Sequence, residues 1–248
     1  MKNTLGVIGS GMIGATLARL AIAADIDVVL SNSRSPDSLS DLVDELGDRA
    51  RAAHSAEAAE AGDLVVVAIP LHAYDKLPVE ALAGKTIIDT MNYYPERDNR
   101  IPELDAGSLT TTELVQRHVS KSRVIKACNS IVFQHLLDLA RPPEAADRSA
   151  LPIAGDDEGA KAQVAALLDR LGYDVVDTGP LSDSWRMEPG MPVYCKPYMP
   201  EPPTDIKPED LQQWIFRSPA RPATVSAIKE SIGAAARGPA GGTVLKFS

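Results

Sequence analysis

The spacing of apolar and polar positions changes period repeatedly along this 248-residue chain. Short runs dense in β-branched residues predict strands over residues 5–8, 27–30, 64–69, 85–89 and 123–127. In LVVVAI and TII no polar side chain interrupts the run. Such strands are covered on both faces, as in a parallel sheet. Helical patterns lie between them. Pro36 suits a first helical position after Ser35, and Thr110 to Glu113 has capping-box spacing ahead of LVQRHV. Repeated strand–helix–strand units with right-handed crossovers predict an α/β fold, a doubly wound parallel sheet.

Beyond Asn129 the pattern predicts one more helix, SIVFQHLLDLA, and then a charged link, RPPEAADRS. A second, smaller α/β unit follows, with a strand at LPIAG, a helix over 157–171 and a strand at YDVVDT. Past Gly179 the texture changes, since eleven of the 19 prolines fall between Pro180 and the C-terminus. Proline fixes φ and lacks an amide hydrogen, so this segment is neither a long helix nor a central strand. Short helices are expected at Pro208 and near Thr224. The rest reads as a proline-rich C-terminal arm lying on the body or on a neighbouring subunit.

Composition narrows the function. With 44% hydrophobic and 24% charged residues, the chain has enough apolar mass for one large domain, or one with an appendage. A net charge of −9 disfavours a phosphate polymer as the main partner. Cys128 and Cys195 match no metal or redox spacing, which suggests a reducing cytosol and no metal site. The first two dozen residues superficially resemble a secretory signal, but glycines and Arg19 break the apolar stretch, and strand–turn–helix fits it better. No apolar run reaches the roughly 20 residues that span a bilayer. A cytoplasmic protein with no membrane or nucleic-acid partner is expected.

The sharpest chemical signal is Gly9-Ser10-Gly11-Met12-Ile13-Gly14, which fits G-x-G-x-x-G directly between a strand and a helical pattern. In that context Gly9 makes the tight turn, Gly11 admits a close backbone approach, and Gly14 lets helix and strand touch. A pyrophosphate would rest on the exposed amides of Ser10 to Ile13 at the helix N-terminus. Residues 1–148 therefore read as a dinucleotide-binding (Rossmann) domain and 149–248 as the smaller unit with its tail. An NAD-specific site ends its second strand with Asp or Glu, to bind the adenosine ribose. Here the residues after that strand are Ser31-Asn32-Ser33-Arg34-Ser35. A carboxylate would repel a 2′-phosphate, whereas hydroxyls and a planar guanidinium bind it, so the site favours NADP(H). Arg34 supplies the charge and Ser33 the nearest hydroxyl, with Asn32 and Ser35 as helpers. The alternative is a solvated loop with one arginine.

Ligands of doubly wound sheets cross the C-terminal strand ends. There lie Pro70-Leu71-His72, Asn92-Tyr93-Tyr94 and Cys128-Asn129-Ser130. Pro70 and Leu71 would wall the nicotinamide, and Asn92 and Asn129 could hydrogen-bond its carboxamide or a substrate. His72 is a candidate general acid, or else a helix residue facing water. Tyr93 and Tyr94 offer a phenolic donor or simply buried rings. Cys128 reads as a small core residue, since no base neighbours it. Arg186 and Glu188 could close the cleft or form a surface ion pair.

With the glycine loop, NSR, AIP, KACNSI and PIAGDDEGAKAQVAALLDRLGYDVVDTGPL in view, residues 4 to 184 resemble the NADP oxidoreductases of the coenzyme F420-dependent type, including NADPH:deazaflavin reductases. The resemblance implies hydride exchange between nicotinamide C4 and a stacked acceptor ring, a deazaflavin (coenzyme F420) or a flavin. Carried onto this chain, it points to Gly9 through Gly14 for the pyrophosphate, Ser33 and Arg34 for the 2′-phosphate, and Pro70 and Leu71 for the nicotinamide half. Asn129 stands where deazaflavin reductases typically show histidine, and the segment after GPLS departs from the family pattern. The acceptor is thus open between a deazaflavin and a small imine or ketone, with a non-catalytic NADPH-binding regulator as the third reading. The resemblance, with the apolar Trp214, Ile215 and Phe216, also suggests a homodimer.

Overall fold

The computed structural model describes residues 4–242. Eight strands form one sheet in the order β3-β2-β1-β4-β5-β6-β7-β8. They are β1 (Thr4–Ile8), β2 (Asp27–Ser31), β3 (Ala50–Ala52), β4 (Leu64–Val67), β5 (Thr86–Asp89), β6 (Arg123–Ala127), β7 (Ala150–Gly155) and β8 (Asp174–Asp177). Every pairing is parallel except β6 with β7. The order reverses between β1 and β4, and helices cover both faces. This is the doubly wound α/β fold expected from the pattern.

Alternation along the central strands explains the two cores. Val66, Ile88 and Ile125 enter one hydrophobic cluster with Val7 and Leu30. Their neighbours Val65, Val67, Ile87 and Val124 enter a second cluster on the opposite face. Both sides of these strands are therefore dry, which is why their central positions are apolar and their polar residues lie at or next to strand ends. The smaller unit builds no separate sheet. Its strands β7 and β8 extend the same one, and the reversal of direction falls between β6 and β7.

Two strands differ from the sequence expectation. β3 is an additional edge strand of three residues. β4 ends at Val67, and Ala68 and Ile69 leave the sheet to line the cleft described below. The expected helices at Pro208 and after Thr224 are present as Pro208–Arg217 and Val225–Gly233. No helix among the described residues is long and apolar enough to cross a membrane.

Candidate active site

The first turn is built as its glycines require. Gly9 sits at φ +102°, where an L side chain is strained, and a Cβ there would strike the Ala68 carbonyl. A Cβ on Gly14 would strike the Gly9 carbonyl, whereas one on Gly11 would meet no atom within 4 Å. Gly11 therefore faces open space, and its role is to leave room for something else. It caps helix α1 (Met12–Ala23), whose first turn carries no acidic residue. The first amides of this helix have no intrahelical acceptor, so they point at the cleft as anion-binding donors. Ser10 is tied away from them, its hydroxyl donating to the Ser31 carbonyl at 2.7 Å.

The loop after β2 is held by Asn32. Its carbonyl oxygen accepts from the Arg34 amide at 2.8 Å, and its amide donates to Ser38 Oγ at 2.9 Å. Ser33 and Arg34 are exposed. Among the described residues no acceptor engages the Arg34 guanidinium, and no carboxylate neutralises it. An unpaired cation and a hydroxyl therefore border the edge of the sheet next to the glycine turn.

A cleft of about 300 Å³ runs from Gly11, Met12 and Ile13 across Ala68–Pro70, Thr90–Asn92 and Cys128–Asn129, the residues following β4, β5 and β6. Asn129 is the anchor of its far half. Its amide donates to Asn92 Oδ1 at 3.0 Å and to the Met187 carbonyl at 2.8 Å. Its Oδ1 is buried and has no partner. A buried acceptor left unpaired is costly, and a carboxamide NH₂ would satisfy it. Asn92 in turn donates to the Asn129 carbonyl at 2.9 Å, so the two asparagines lock the ends of β5 and β6 together.

Beneath them lies an ion pair absent from the sequence expectations. Lys126 and Asp89 are fully buried with 3.2 Å between Nζ and Oδ2. Thr112 donates to the same carboxylate at 2.7 Å, and the Met91 amide donates to Oδ1 at 2.8 Å. Lys126 also donates to the Met91 carbonyl. These bonds fix the Thr90–Asn92 turn that lines the cleft. The signal in the sequence was a single charge at or next to the end of each of two apolar strands.

The proline-rich arm is the other missed contributor. It folds back over the strand ends, the Cys195 amide donating to the Ser130 carbonyl at 2.9 Å from a left-handed φ of +63°. This places Tyr194 and Cys195 in the cleft wall, with Phe133 and Phe216 alongside. Trp214, Ile215 and Phe216 pack against Val132, Cys195 and Met199 of the same chain. Tyr94 meets Tyr194 hydroxyl to hydroxyl, and the Arg97 guanidinium sits 4.8 Å from the Tyr94 ring centroid.

Arg97 is held by Asp98 through two bonds of 2.8 Å and donates to the Asn92 carbonyl at 3.0 Å. Burial alone would push the Asp98 carboxyl up. The Arg97 hydrogen bonds, the Tyr94 amide, the charge of Arg97 and the His72 hydrogen bond outweigh it and hold the group below the ordinary carboxylate range.

Several expected residues land elsewhere. His72 is outside the cleft lining, exposed, with Nδ1 on Asp98 at 3.1 Å. Tyr93 is fully buried, its hydroxyl donating to Asp105 at 2.9 Å and accepting from the Ile101 amide at 2.9 Å. Its neighbour Tyr94 is the one that reaches the cleft. Leu71 points into the core, which leaves Pro70 as the wall. Burial pushes the Cys128 and Cys195 thiols up to about 12, so neither supplies a thiolate near neutrality. Arg186 pairs with Asp183 at 3.6 Å, whereas Glu188 accepts from the Thr111 amide at 2.8 Å, and neither lines the cleft.

Residues 4–93 match the family model of the NADP oxidoreductases, coenzyme F420-dependent, which covers the glycine turn, the Arg34 loop and the Pro70 wall. The resemblance drawn from the sequence holds over that segment. The Escherichia coli (strain K12) protein YjhV is 38% identical over 61 residues, and that match spans 24% of this chain and 44% of YjhV. The chain thus spans less than half the length of this curated relative.

Among solved structures, a hypothetical protein, SMa0349, from Sinorhizobium meliloti is 29% identical with a TM-score of 0.67, over 78% of this chain and 93% of that one. A candidate F420-dependent NADP reductase from Arthrobacter sp. FB24 is 25% identical with a TM-score of 0.62, over 74% of this chain and 87% of that one.

Proposed function

We propose, from a Rossmann half that carries the signature of the NADP oxidoreductases, coenzyme F420-dependent, that the protein is an oxidoreductase moving a hydride between NADP(H) and a small-molecule acceptor. The observation that carries this reading is the continuity of the cleft. It runs from the open Gly11 and the free α1 amides to the orphaned Asn129 oxygen.

These residues fit the dinucleotide. The α1 amides hold a pyrophosphate, Ser33 and Arg34 a 2′-phosphate, Pro70 the nicotinamide face, and Asn129 with Asn92 the carboxamide. When bound, the nicotinamide supplies or takes the hydride at its C4. The chain contributes orientation, because asparagines locked to each other and to Met187 cannot drift, and correct placement alone removes much of a barrier. The arm supplies Tyr194, Cys195 and Phe216 to the wall of the reacting half.

For the acceptor, the family description favours a deazaflavin of the coenzyme F420 type or a flavin, stacked on the nicotinamide. A small carbonyl or imine is a second reading, favoured by the tyrosine pair in the wall. The same proposal places the protein in the cytoplasm as a homodimer, which sedimentation equilibrium checks.

Calorimetric titration with NADPH and NADH, followed by the absorbance loss of NADPH with deazaflavin, flavin and carbonyl acceptors, tests the function. Tighter binding of NADPH and its oxidation by one acceptor class support it. Absence of dinucleotide binding refutes it, and binding without oxidation by any acceptor leaves the regulator reading.

A further inference from the structure

We propose that Tyr94 and Tyr194 form the proton source of the reaction and that the acceptor is a compact ketone or aldehyde, an inference that rests on the NADPH reading above. The two hydroxyls bond each other at the wall of the cleft. A hydroxyl pair holds two protons and spends one on the mutual bond. Among the described residues no further acceptor engages either hydroxyl, so the second proton is left for something that enters the cleft.

The remainder of this half of the cleft is apolar, formed by Ile131, Val132, Phe133 and Phe216. The whole cleft measures about 300 Å³. These apolar side chains suit the carbon skeleton of a small ketone or aldehyde, and the phenols beside them its oxygen.

The step balances. The C4–H bond of the dinucleotide breaks and a C–H bond forms at the carbonyl carbon. The C=O π pair moves to oxygen, and that oxygen takes the phenolic proton. The product is an alcohol, and the phenolate is reprotonated through its partner phenol and solvent. Arg97, clamped by Asp98, lies over the Tyr94 ring and stabilises the transient phenolate.

Burial raises the pKa of both phenols, so both stay protonated near neutrality, as a donor requires. An alkoxide is much more basic than a phenolate, so the transfer runs downhill. His72 lies outside the cleft lining, Thr90 donates to the Val67 carbonyl, and both thiols are pushed up to about 12.

The test uses the full chain, NADPH, and a panel of cyclic, aromatic and short-chain ketones and aldehydes beside a deazaflavin and a flavin. At least one carbonyl should be reduced. In Tyr94→Phe/Tyr194→Phe its kcat should fall by about 100-fold or more, with NADPH affinity retained. Retained affinity certifies the fold of the variant, and the single Phe variants carry the test if the double one does not fold. A second readout needs no turnover. In protein labelled with carbon-13 at tyrosine Cζ, the same carbonyl added with NADP⁺ should shift two resonances, assigned by their loss in Y94F and Y194F. Oxidation of NADPH by deazaflavin or flavin alone, a kcat unchanged in the double variant, or unmoved tyrosine resonances would overturn the proposal and leave the cofactor reading standing. Failure to bind NADPH at all would instead sink the reading on which it rests.

Discussion

Arg34→Ala isolates the electrostatic choice on which cofactor selection turns. In the free protein the Arg34 guanidinium has no described acceptor, and the loop is pinned by Asn32, not by Arg34 itself. The substitution should therefore leave stability unchanged and act on binding alone. A charge-assisted hydrogen bond contributes about 1.5–3 kcal/mol, and an exposed loop screened by salt belongs at the low end. About 1.5–2 kcal/mol corresponds to a rise of roughly 10- to 30-fold in Kd for NADPH. NADH lacks the 2′-phosphate, so its Kd should stay within error. Calorimetric titration of both dinucleotides, repeated across ionic strength, reads this directly, and the penalty for NADPH should shrink as salt rises. Equal affinity for the two dinucleotides in the native protein, with neither altered by R34A, would refute the assignment of this loop to a phosphate.

Other substitutions separate roles that the site combines. Gly11→Ala should melt with the native protein, because a Cβ there meets nothing, yet weaken NADPH by about tenfold or more, ~1.4 kcal/mol; Gly14→Ala should lower Tm, because its Cβ strikes the Gly9 carbonyl. Lys126→Met strands a buried Asp89 carboxylate and should cost about 3–5 kcal/mol in urea unfolding. Asp98 is more acidic folded than unfolded, so its contribution is complete above about pH 4 and is lost as pH falls through the folded value. Asp98→Asn should accordingly flatten the acid limb of the stability profile measured by circular dichroism. Cys128 and Cys195, with thiols raised to about 12, should resist iodoacetamide at neutral pH until denaturant is added.

Features legible in the sequence were those whose physics is local. The glycine turn, the apolar strands and the acid-free loop after β2 each depend on residues adjacent in the chain, and each stands where the pattern put it, save that β4 ends two residues early. β3 was not legible, because Ala50-Arg51-Ala52 is too short for its alternation to register, carries no β-branched residue and is a strand only through pairing with β2. Position after a strand end also selected Tyr93 and His72 without deciding which way either side chain turns. Successive residues of extended chain face opposite sides, so Tyr93 enters the core while Tyr94 reaches the cleft.

The arm was hidden for a stronger reason. Tyr194 acquires its meaning only from a contact with a residue 100 positions earlier in the chain. Prolines that rule out long helices and central strands say nothing of what an irregular segment will touch. Here the segment brings Met187, Tyr194 and Phe216 back across the strand ends. The same division runs through the site. The proposed dinucleotide half is built from the loops that follow the strands of the sheet, whereas the proposed acceptor half is shared between the sheet and the arm. Substitutions in the arm should therefore change which acceptor is reduced while leaving NADPH affinity alone, and Phe216→Ala, assayed against the carbonyl panel and by NADPH titration, tests that separation. A fall in NADPH affinity equal to that of R34A would show instead that the arm serves the cofactor.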